Sequence, residues 1–448
     1  MGPFAKSLIN KRRPRRLPPV RLLSPGSCIP KYIDHGLAEA SGEYNTKVQP
    51  AGEQLGATPL TAARGGLAAF LISGLLLSLL GAILPAWRYH IEPDFLLIGS
   101  YFLCQNAGLL LGAQVARGVL RRRGLVAGLV LGCGLAALGL VFLGVFSPPF
   151  HFAWRLAGLI LTGFGAGIVH TGAMHAIVPA YEHEPAATLS LAGVLFNLGA
   201  LAAVLFVAGA FFAYTIQWIL VFMGLVPAVA ALLYSRARRP AAVEVAEPSW
   251  RDALRDFRSP AAVLFALLLF FQFGNEGAIA GWLSLYLIQR LGLSPVTSLQ
   301  LLGLFWLTLL LGRVLGLWLM RHVSAGRLLA GSVLAPMFGC LILASTDNMF
   351  GAITAVILLA GGFAFILPLV MIQIAGRFPY FHPGFFSGIF SVAMTGGLLA
   401  PATVGYLAHF LGVGVVAGLP LLGSVAVFLL YWLLVLESKL SHRPQALV

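Results

Sequence analysis

The sequence predicts an all-α integral membrane protein with twelve transmembrane helices, and two observations carry this prediction. Of the 448 residues, 59% are hydrophobic and 10% are charged, whereas soluble domains carry about 25% charged residues. From about residue 62 onward, the chain divides into roughly twelve apolar stretches of about 20 to 28 residues. Each stretch is long enough to cross about 30 Å of hydrocarbon as a helix. Barrel strands would alternate polar and apolar residues, so these continuously apolar runs exclude a β-barrel.

The predicted spans fall into two groups of six. They begin near residues 64, 94, 124, 153, 187 and 214, and then near residues 260, 297, 327, 350, 384 and 412. The expected organisation is a disordered basic tail (1–60), an N-terminal half (61–235), a cytoplasmic central loop (236–259), a C-terminal half (260–437) and a cytoplasmic tail (438–448). The first tail is rich in proline and basic residues and lacks an apolar helical period. In the central loop, Trp250, Leu254 and Phe257 recur at helical spacing, which predicts a short helix on the membrane surface.

The net charge of +14 does not indicate a nucleic-acid partner, because the basic residues follow the predicted loops. All Lys and Arg residues except Arg88, Arg155, Arg290 and Arg313 fall on one side of the membrane, and Arg313 is expected near a helix end. Cytoplasmic loops are enriched in Lys and Arg. We therefore expect a multi-pass protein of the inner (plasma) membrane with both termini in the cytoplasm.

Two classes of function are disfavoured by what the chain lacks. No lysine lies between Lys47 and Lys439, so the spans hold no phosphate-binding loop of the Gly-Lys-Ser/Thr kind, and ATP hydrolysis is excluded. The chain also lacks an HExxH motif, a GxSxG motif and paired intramembrane aspartates, so we do not expect an enzyme. The four cysteines show no paired spacing, which predicts no disulfide, no metal site and no cofactor.

Glu276 is the sharpest candidate for a functional residue, because the other acids fall in tails, loops or helix ends. A carboxylate in mid-membrane costs about 2.5 to 3.5 kcal/mol on insertion scales, so it should face a cavity or a partner. A structural carboxyl, hydrogen-bonded between helices, is the alternative. Gln272, Asn275, Trp282 and Tyr286 lie near it in sequence, and amides with aromatic rings suit a polyhydroxylated ligand. These four residues are predicted to bind substrate.

Further polar residues lie inside predicted spans. His170 and His175 are five residues apart, which places them on different faces of a helix and rules out a metal pair of the i, i+4 kind. Asn197 and Gln373 are predicted to contact substrate, although hydrogen bonds between helices explain most such residues in membrane bundles.

A weak internal repeat links the two halves. "GAQVARGVLRRRG" and "GRVLGLWLMRHVSAGRLL" each place a glycine nine residues before an arginine, namely Gly112 with Arg121 and Gly312 with Arg321. The two pairs stand at corresponding positions in the two groups of six spans, which suggests two parallel repeats. At these segments the chain resembles the major facilitator superfamily, whose loop motif they match, although the first copy lacks the family's aspartate.

Within that superfamily the chain is most similar to the fucose permease group of sugar:proton symporters. The matching segments are "GFGAGIVHTGAMHAI", "FGNEGAIAGWLSLYL" and "GGFAFILPLVMIQIAGRFP". The resemblance implies proton coupling by Glu276, and by His170, which stands where the group has a glutamate. It implies gating by Arg121, Gly312, Arg313 and Arg321. The first span departs from the group's pattern because it contains no acid.

The expected function is secondary active transport by alternating access. The solute would be a sugar or related polar metabolite, coupled to protons and bound near mid-membrane against spans 1, 4, 5, 7, 8, 10 and 11. The alternative is a proton antiporter that exports a drug-like or amphipathic metabolite. The expected partners are the solute, protons and the lipid bilayer, and we expect a monomer.

Overall fold

The computed structural model describes residues 59–183, 185–236, 250–319, 322–378 and 388–441. Helices make up the ordered elements of these residues. They are α1 (Pro59–Ile83), α2 (Phe95–Val145), α3 (Phe152–His183), α4 (Pro185–Ala210), α5 (Ile216–Arg236), α6 (Trp250–Asp256), α7 (Pro260–Leu291), α8 (Pro295–Leu319), α9 (Ala325–Ser345), α10 (Met349–Arg377), α11 (Ile389–Leu411) and α12 (Val415–Ser441). The expected disordered tail lies outside the described residues except for its last two, Pro59 and Leu60, which are helical and begin α1. Most of the expected C-terminal tail also lies outside the described residues.

Eleven of the described helices, all except α6, are long and apolar enough to cross a membrane. One of them, α2, has 51 residues, or about 76 Å at 1.5 Å per residue, far more than one crossing needs. Its backbone leaves the helical region at Gly124, with φ 81° and ψ 173°. The break separates the second predicted span from the third, so the structure confirms the predicted twelve-span helical fold.

Most helix boundaries follow from local chemistry. Asp94 and Asn348 cap α2 and α10, since each side chain accepts a hydrogen bond from a backbone N–H three residues on, as N-cap residues do. Gly292 ends α7 in the left-handed conformation, with φ 65°, which glycine adopts at little cost. The first span, expected from residue 64, begins earlier, at Pro59. The eleventh span is expected from residue 384, and its described helix begins at Ile389, after residues 379–387, which lie outside the described residues.

The short helix predicted in the central loop is present as α6. Its side chains divide between two environments. Leu254 is exposed, whereas Phe257, just after the helix, packs against the apolar core. The helix is therefore anchored to the bundle by Phe257.

Corresponding helices pack in the same way in both halves. In the first half α1 packs against α3 and α4, and α2 packs against α5. In the second half α7 packs against α10 and α11, and α9 packs against α12. This equivalence agrees with two parallel repeats of six spans.

The two halves are in contact at the end of the bundle that carries the α1–α2 and α7–α8 loops, which we call the distal end. Here the Ser284 hydroxyl donates to the Gly81 carbonyl at 2.8 Å, and the Gln289 amide donates to the His90 carbonyl at 3.0 Å. Glycines at 99 and 405 bring α2 and α11 into backbone contact. The halves are therefore joined at the distal end.

Candidate functional site

A cavity of about 230 Å³ lies between the two halves. Its walls come from α1, α3, α4, α7, α8, α10 and α11, and from Phe102 and Leu109 of α2. Apart from α2, these helices are the seven spans that the sequence predicts around a solute. Small solutes are usually bound in concave, largely apolar cavities with a few placed polar groups.

The walls are dominated by aromatic and aliphatic side chains. The rings that line the cavity are Phe70, Phe102, Phe196, Phe273, Trp306 and Phe390. The ionisable side chains of the lining are His170, Glu276 and Arg313. The cavity is thus an apolar chamber, and the charged part of its lining is formed by Glu276 and Arg313.

Glu276 and Arg313 form a buried ion pair in that region. The Arg313 Nη2 atom lies 3.3 Å from Glu276 Oε1, and the two side chains are 6% and 14% exposed. Arg313 Nη1 also donates to Asn197 Oδ1 at 3.3 Å. Because α4 belongs to the first half and α7 and α8 to the second, this network connects the halves at the cavity wall.

Gly193 makes room for the arginine. A Cβ atom at this position would collide with Arg313 Nη1 and would lie 2.9 Å from Arg313 Cζ. Gly193 and Asn197 are four residues apart and therefore share one face of α4. That face provides both a space and a hydrogen-bond acceptor for the guanidinium group.

The sequence places Arg313 near a helix end, and the structure corrects this position. Helices α7 and α8 are antiparallel neighbours joined by a short turn at residues 292–294. Residues equally distant from such a turn lie at the same depth. Glu276 lies 16 residues before Gly292 and Arg313 lies 19 residues after Ser294, and this similar spacing is the signal in the sequence that would have paired them.

His170 lies on another wall of the cavity. Its Nδ1 atom is 2.8 Å from the Ser73 hydroxyl of α1. The rings of Phe70 and Phe196 meet it edge-on, with centroids 5.9 and 6.4 Å away. The structure therefore brings both predicted proton-coupling residues, Glu276 and His170, to one cavity.

None of the six predicted substrate-binding residues belongs to the cavity lining. Asn275 Nδ2 donates to the Ser424 hydroxyl of α12 at 3.3 Å, and Trp282 Nε1 donates to the Pro401 carbonyl at 2.8 Å. The Tyr286 hydroxyl donates to the Leu343 carbonyl of α9 at 2.9 Å. In this conformation these three groups hold helices together, and their contact with a solute stays a prediction.

The two glutamines also stand apart from the lining. Gln272 is buried in α7, and both of its amide atoms lack a hydrogen-bond partner among the described residues. Gln373 lies partly buried in α10. Asn197 is also outside the lining but reaches the site through Arg313.

The predicted gating residues are spread over the bundle. Arg121 is exposed on α2, three residues before the break at Gly124. Gly312 lies where α8 and α10 meet, since an added Cβ would come 2.6 Å from the Ala364 Cβ. Arg321 lies outside the described residues. Of the three that the structure describes, Arg313 is the one that lines the cavity.

Comparison with known proteins extends these observations. The sequence profile of the Major Facilitator Superfamily matches residues 66–401. An uncharacterised transporter of this type from Yersinia pestis is 23% identical over 358 residues, which cover 78% of this chain and 90% of that protein.

Solved structures share the fold. The fucose:proton symporter FucP of E. coli is 18% identical, with a TM-score of 0.57, over 84% of this chain and 99% of that one. A D-xylose–proton symporter is 14% identical, with a TM-score of 0.64, over 83% and 98%. With a profile match over most of its length and this arrangement of helices, the chain belongs to the Major Facilitator Superfamily.

Proposed function

We propose that this protein is a secondary transporter that moves a small solute through the central cavity by alternating access, coupled to protons. The observation that carries the proposal is the buried Glu276–Arg313 pair at the cavity wall. Ionisable groups inside a membrane are costly and usually mark a transport pathway. A buried pair is also weak evidence for stability, because the loss of hydration offsets much of the attraction.

Protonation of Glu276 provides a mechanism for coupling. A neutral Glu276 would no longer balance the positive charge of Arg313. The same arginine also binds Asn197 of the other half. The ionisable groups that face Glu276 around the cavity are Arg313 from α8 and His170 from α3, while the lining residues of α1, α10 and α11 carry no ionisable side chain. A proton on Glu276 would thus change a contact between the halves.

The lining supports a small amphipathic solute. Its walls are mostly aromatic and aliphatic, and its charged groups are gathered on one side. This favours the amphipathic solute of the alternative expectation over a polyhydroxylated one. A sugar is the second candidate, since FucP and the D-xylose symporter, which share the fold, are sugar:proton symporters by name.

The remaining proposals concern the setting of the protein. Family membership supports a transporter and not an enzyme. The distribution of Lys and Arg supports a protein of the inner membrane whose two termini both lie in the cytoplasm. We further propose that a single chain is the transporting unit, because the cavity lies within one chain.

Transport in proteoliposomes tests the function. Uptake of radiolabelled D-xylose, L-fucose and mandelate would be followed with and without an inwardly directed proton gradient, against protein-free liposomes. We expect at least one solute to accumulate against its gradient. Glu276→Gln should keep counterflow exchange and lose accumulation, because it cannot carry a proton.

Glu437→Gln is the matched control. Glu437 pairs with Arg377 at 3.1 Å on the partly exposed surface, away from the cavity, so this variant should keep both activities. If Glu276→Gln accumulates solute as the wild type does, this residue does not couple transport to protons. If the wild type accumulates none of the three solutes, the proposal is contradicted.

A further inference from the structure

We infer that the solute of the central cavity carries a carboxylate group, which Arg313 binds, and an apolar body, which the aromatic walls enclose. This inference rests on the proposed function, because it names the chemical class of the solute at the same site. It comes from the balance of hydrogen-bond donors and acceptors around the cavity.

The wall formed by α8 holds donors that lack acceptors. Arg313 and Trp306 line the cavity, and Arg313 Nε and Trp306 Nε1 are buried and have no hydrogen-bond partner among the described residues. The two side chains are 6% and 3% exposed. Buried donors are rarely left unpaired in proteins. Arginine and tryptophan nitrogens can only donate, so the missing partner must supply acceptor oxygens.

The described residues supply few acceptors at this wall. Arg313 has Glu276 Oε1 on Nη2 and Asn197 Oδ1 on Nη1, and both distances are 3.3 Å. Charge-assisted hydrogen bonds are usually about 2.7 to 2.9 Å. The ion pair is therefore loose, and an incoming anion can compete with Glu276 for the guanidinium group.

A carboxylate matches these requirements better than a hydroxyl does. Its two oxygens accept hydrogen bonds and donate none, and their spacing fits the planar fork of an arginine. A sugar hydroxyl both donates and accepts, so a neutral sugar would leave the donor-rich wall only partly matched and would not balance a charge.

The aromatic part of the lining determines the rest of the solute. Phe70 and Phe196 from the first half and Phe273 and Phe390 from the second half line the same cavity. These rings offer apolar surface and edge or face contacts to a hydrocarbon or aromatic group. With about 230 Å³ available, the site suits a small monocarboxylate with an apolar body.

Binding of such an anion would also link the solute to the proton. When a carboxylate occupies Arg313, Glu276 loses its partner and takes up a proton from water. His170 is the other ionisable group of the lining besides Glu276 and Arg313. One anion and one proton would then move together, and the transported complex would carry no net charge.

Paired ligands test the inference on purified full-length protein. Isothermal titration calorimetry would compare acetate, butyrate, phenylacetate and mandelate with the amide of each acid, which has nearly the same shape and no charge. We expect a carboxylate with an aromatic body to bind at least about tenfold more tightly than its amide, because hydrogen bonds to charged groups are the stronger ones.

Three variants identify the group that binds the acid. Arg313→Gln should weaken binding of that carboxylate at least about tenfold, and Arg313→Lys should weaken it less. Glu276→Gln should bind it more tightly than the wild type, since the competing acid is gone. Arg290→Gln, which removes an arginine paired with Asp347 outside the cavity at 2.9 Å, should bind it as the wild type does.

The results separate this inference from the proposed function. If no acid in the series binds more tightly than its amide, or if Glu276→Gln and both Arg313 variants bind as the wild type does, the inference is wrong. Proton-coupled accumulation of D-xylose alone would also overturn it while leaving the proposed function intact. Carboxylate binding at Arg313 without proton coupling would support it and contradict the coupling. Size-exclusion chromatography would establish that each variant is folded.

Discussion

At position 193 the absence of a side chain decides where Arg313 can lie. The guanidinium group occupies the space that a Cβ atom would fill, and from there it reaches both Glu276 and Asn197. We therefore predict that Gly193→Ala displaces Arg313 and lowers the free energy of unfolding by about 1 to 3 kcal/mol, the usual cost of overpacking. Thermal unfolding of the purified protein would measure the change.

Gly209→Ala is the control for this prediction. It lies on the same helix, and an added Cβ there meets nothing within 4 Å. Since alanine has the better helix propensity, by up to about 1 kcal/mol, this variant should be as stable as the wild type or more so. Equal effects of the two substitutions would contradict the tight fit around Arg313.

Among elements, α2 depends most on a single residue. Gly124 adopts φ 81° and ψ 173°, a region that is essentially restricted to glycine. Gly124→Ala should therefore destabilise the protein by about 1 to 3 kcal/mol, although open space surrounds the residue. The same thermal unfolding measurement applies, and the strain of the backbone is the cause.

Gly134→Ala separates strain from a general effect of glycine replacement in α2. Gly134 is helical and also has open space around it. We expect this substitution to be neutral or slightly stabilising. If Gly124→Ala were equally harmless, the break would not be needed to turn the chain between the second and third spans.

At the scale of the whole molecule, alternating access requires the contacts at the distal end to open and close. Gly405 allows this closure, because an added Cβ would lie 2.7 Å from the Gly99 nitrogen and 2.8 Å from the Phe95 carbonyl oxygen. Gly405→Ala should hold α2 and α11 apart and shift the population towards a state open at the distal end.

Thiol labelling of intact cells would detect that shift. In a cysteine-free background, Ala280→Cys places a thiol at the distal part of the cavity lining. A membrane-impermeant reagent should label it slowly from outside, and several-fold faster when Gly405→Ala is added. Gly418→Ala, on α12 with nothing within 4 Å of an added Cβ, should leave the rate unchanged.

A reference position tests the orientation in the same experiment. Ile91, in the loop between α1 and α2, is 64% exposed, so Ile91→Cys should react promptly from outside. Failure of this thiol to react would show that the distal end faces the cytoplasm, which would reverse the proposed orientation.

The sequence by itself determined the spans and the repeat of six spans, and it identified Glu276 as an acid deep in an apolar span. Each of these follows from local quantities, namely the length of apolar segments and the cost of a charge in lipid. An acid deep in an apolar span is visible without knowledge of any neighbour.

Only the tertiary structure decided which residues face Glu276. Arg313 comes from the next helix and Asn197 from the other half, and Gly193 admits the guanidinium group. Trp282 and Tyr286 are close to Glu276 in sequence but contact α11 and α9. On a helix, neighbours in sequence point in different directions, because each residue turns by about 100°. Packing across the bundle, and not proximity along the chain, therefore determines which residues form a site between helices.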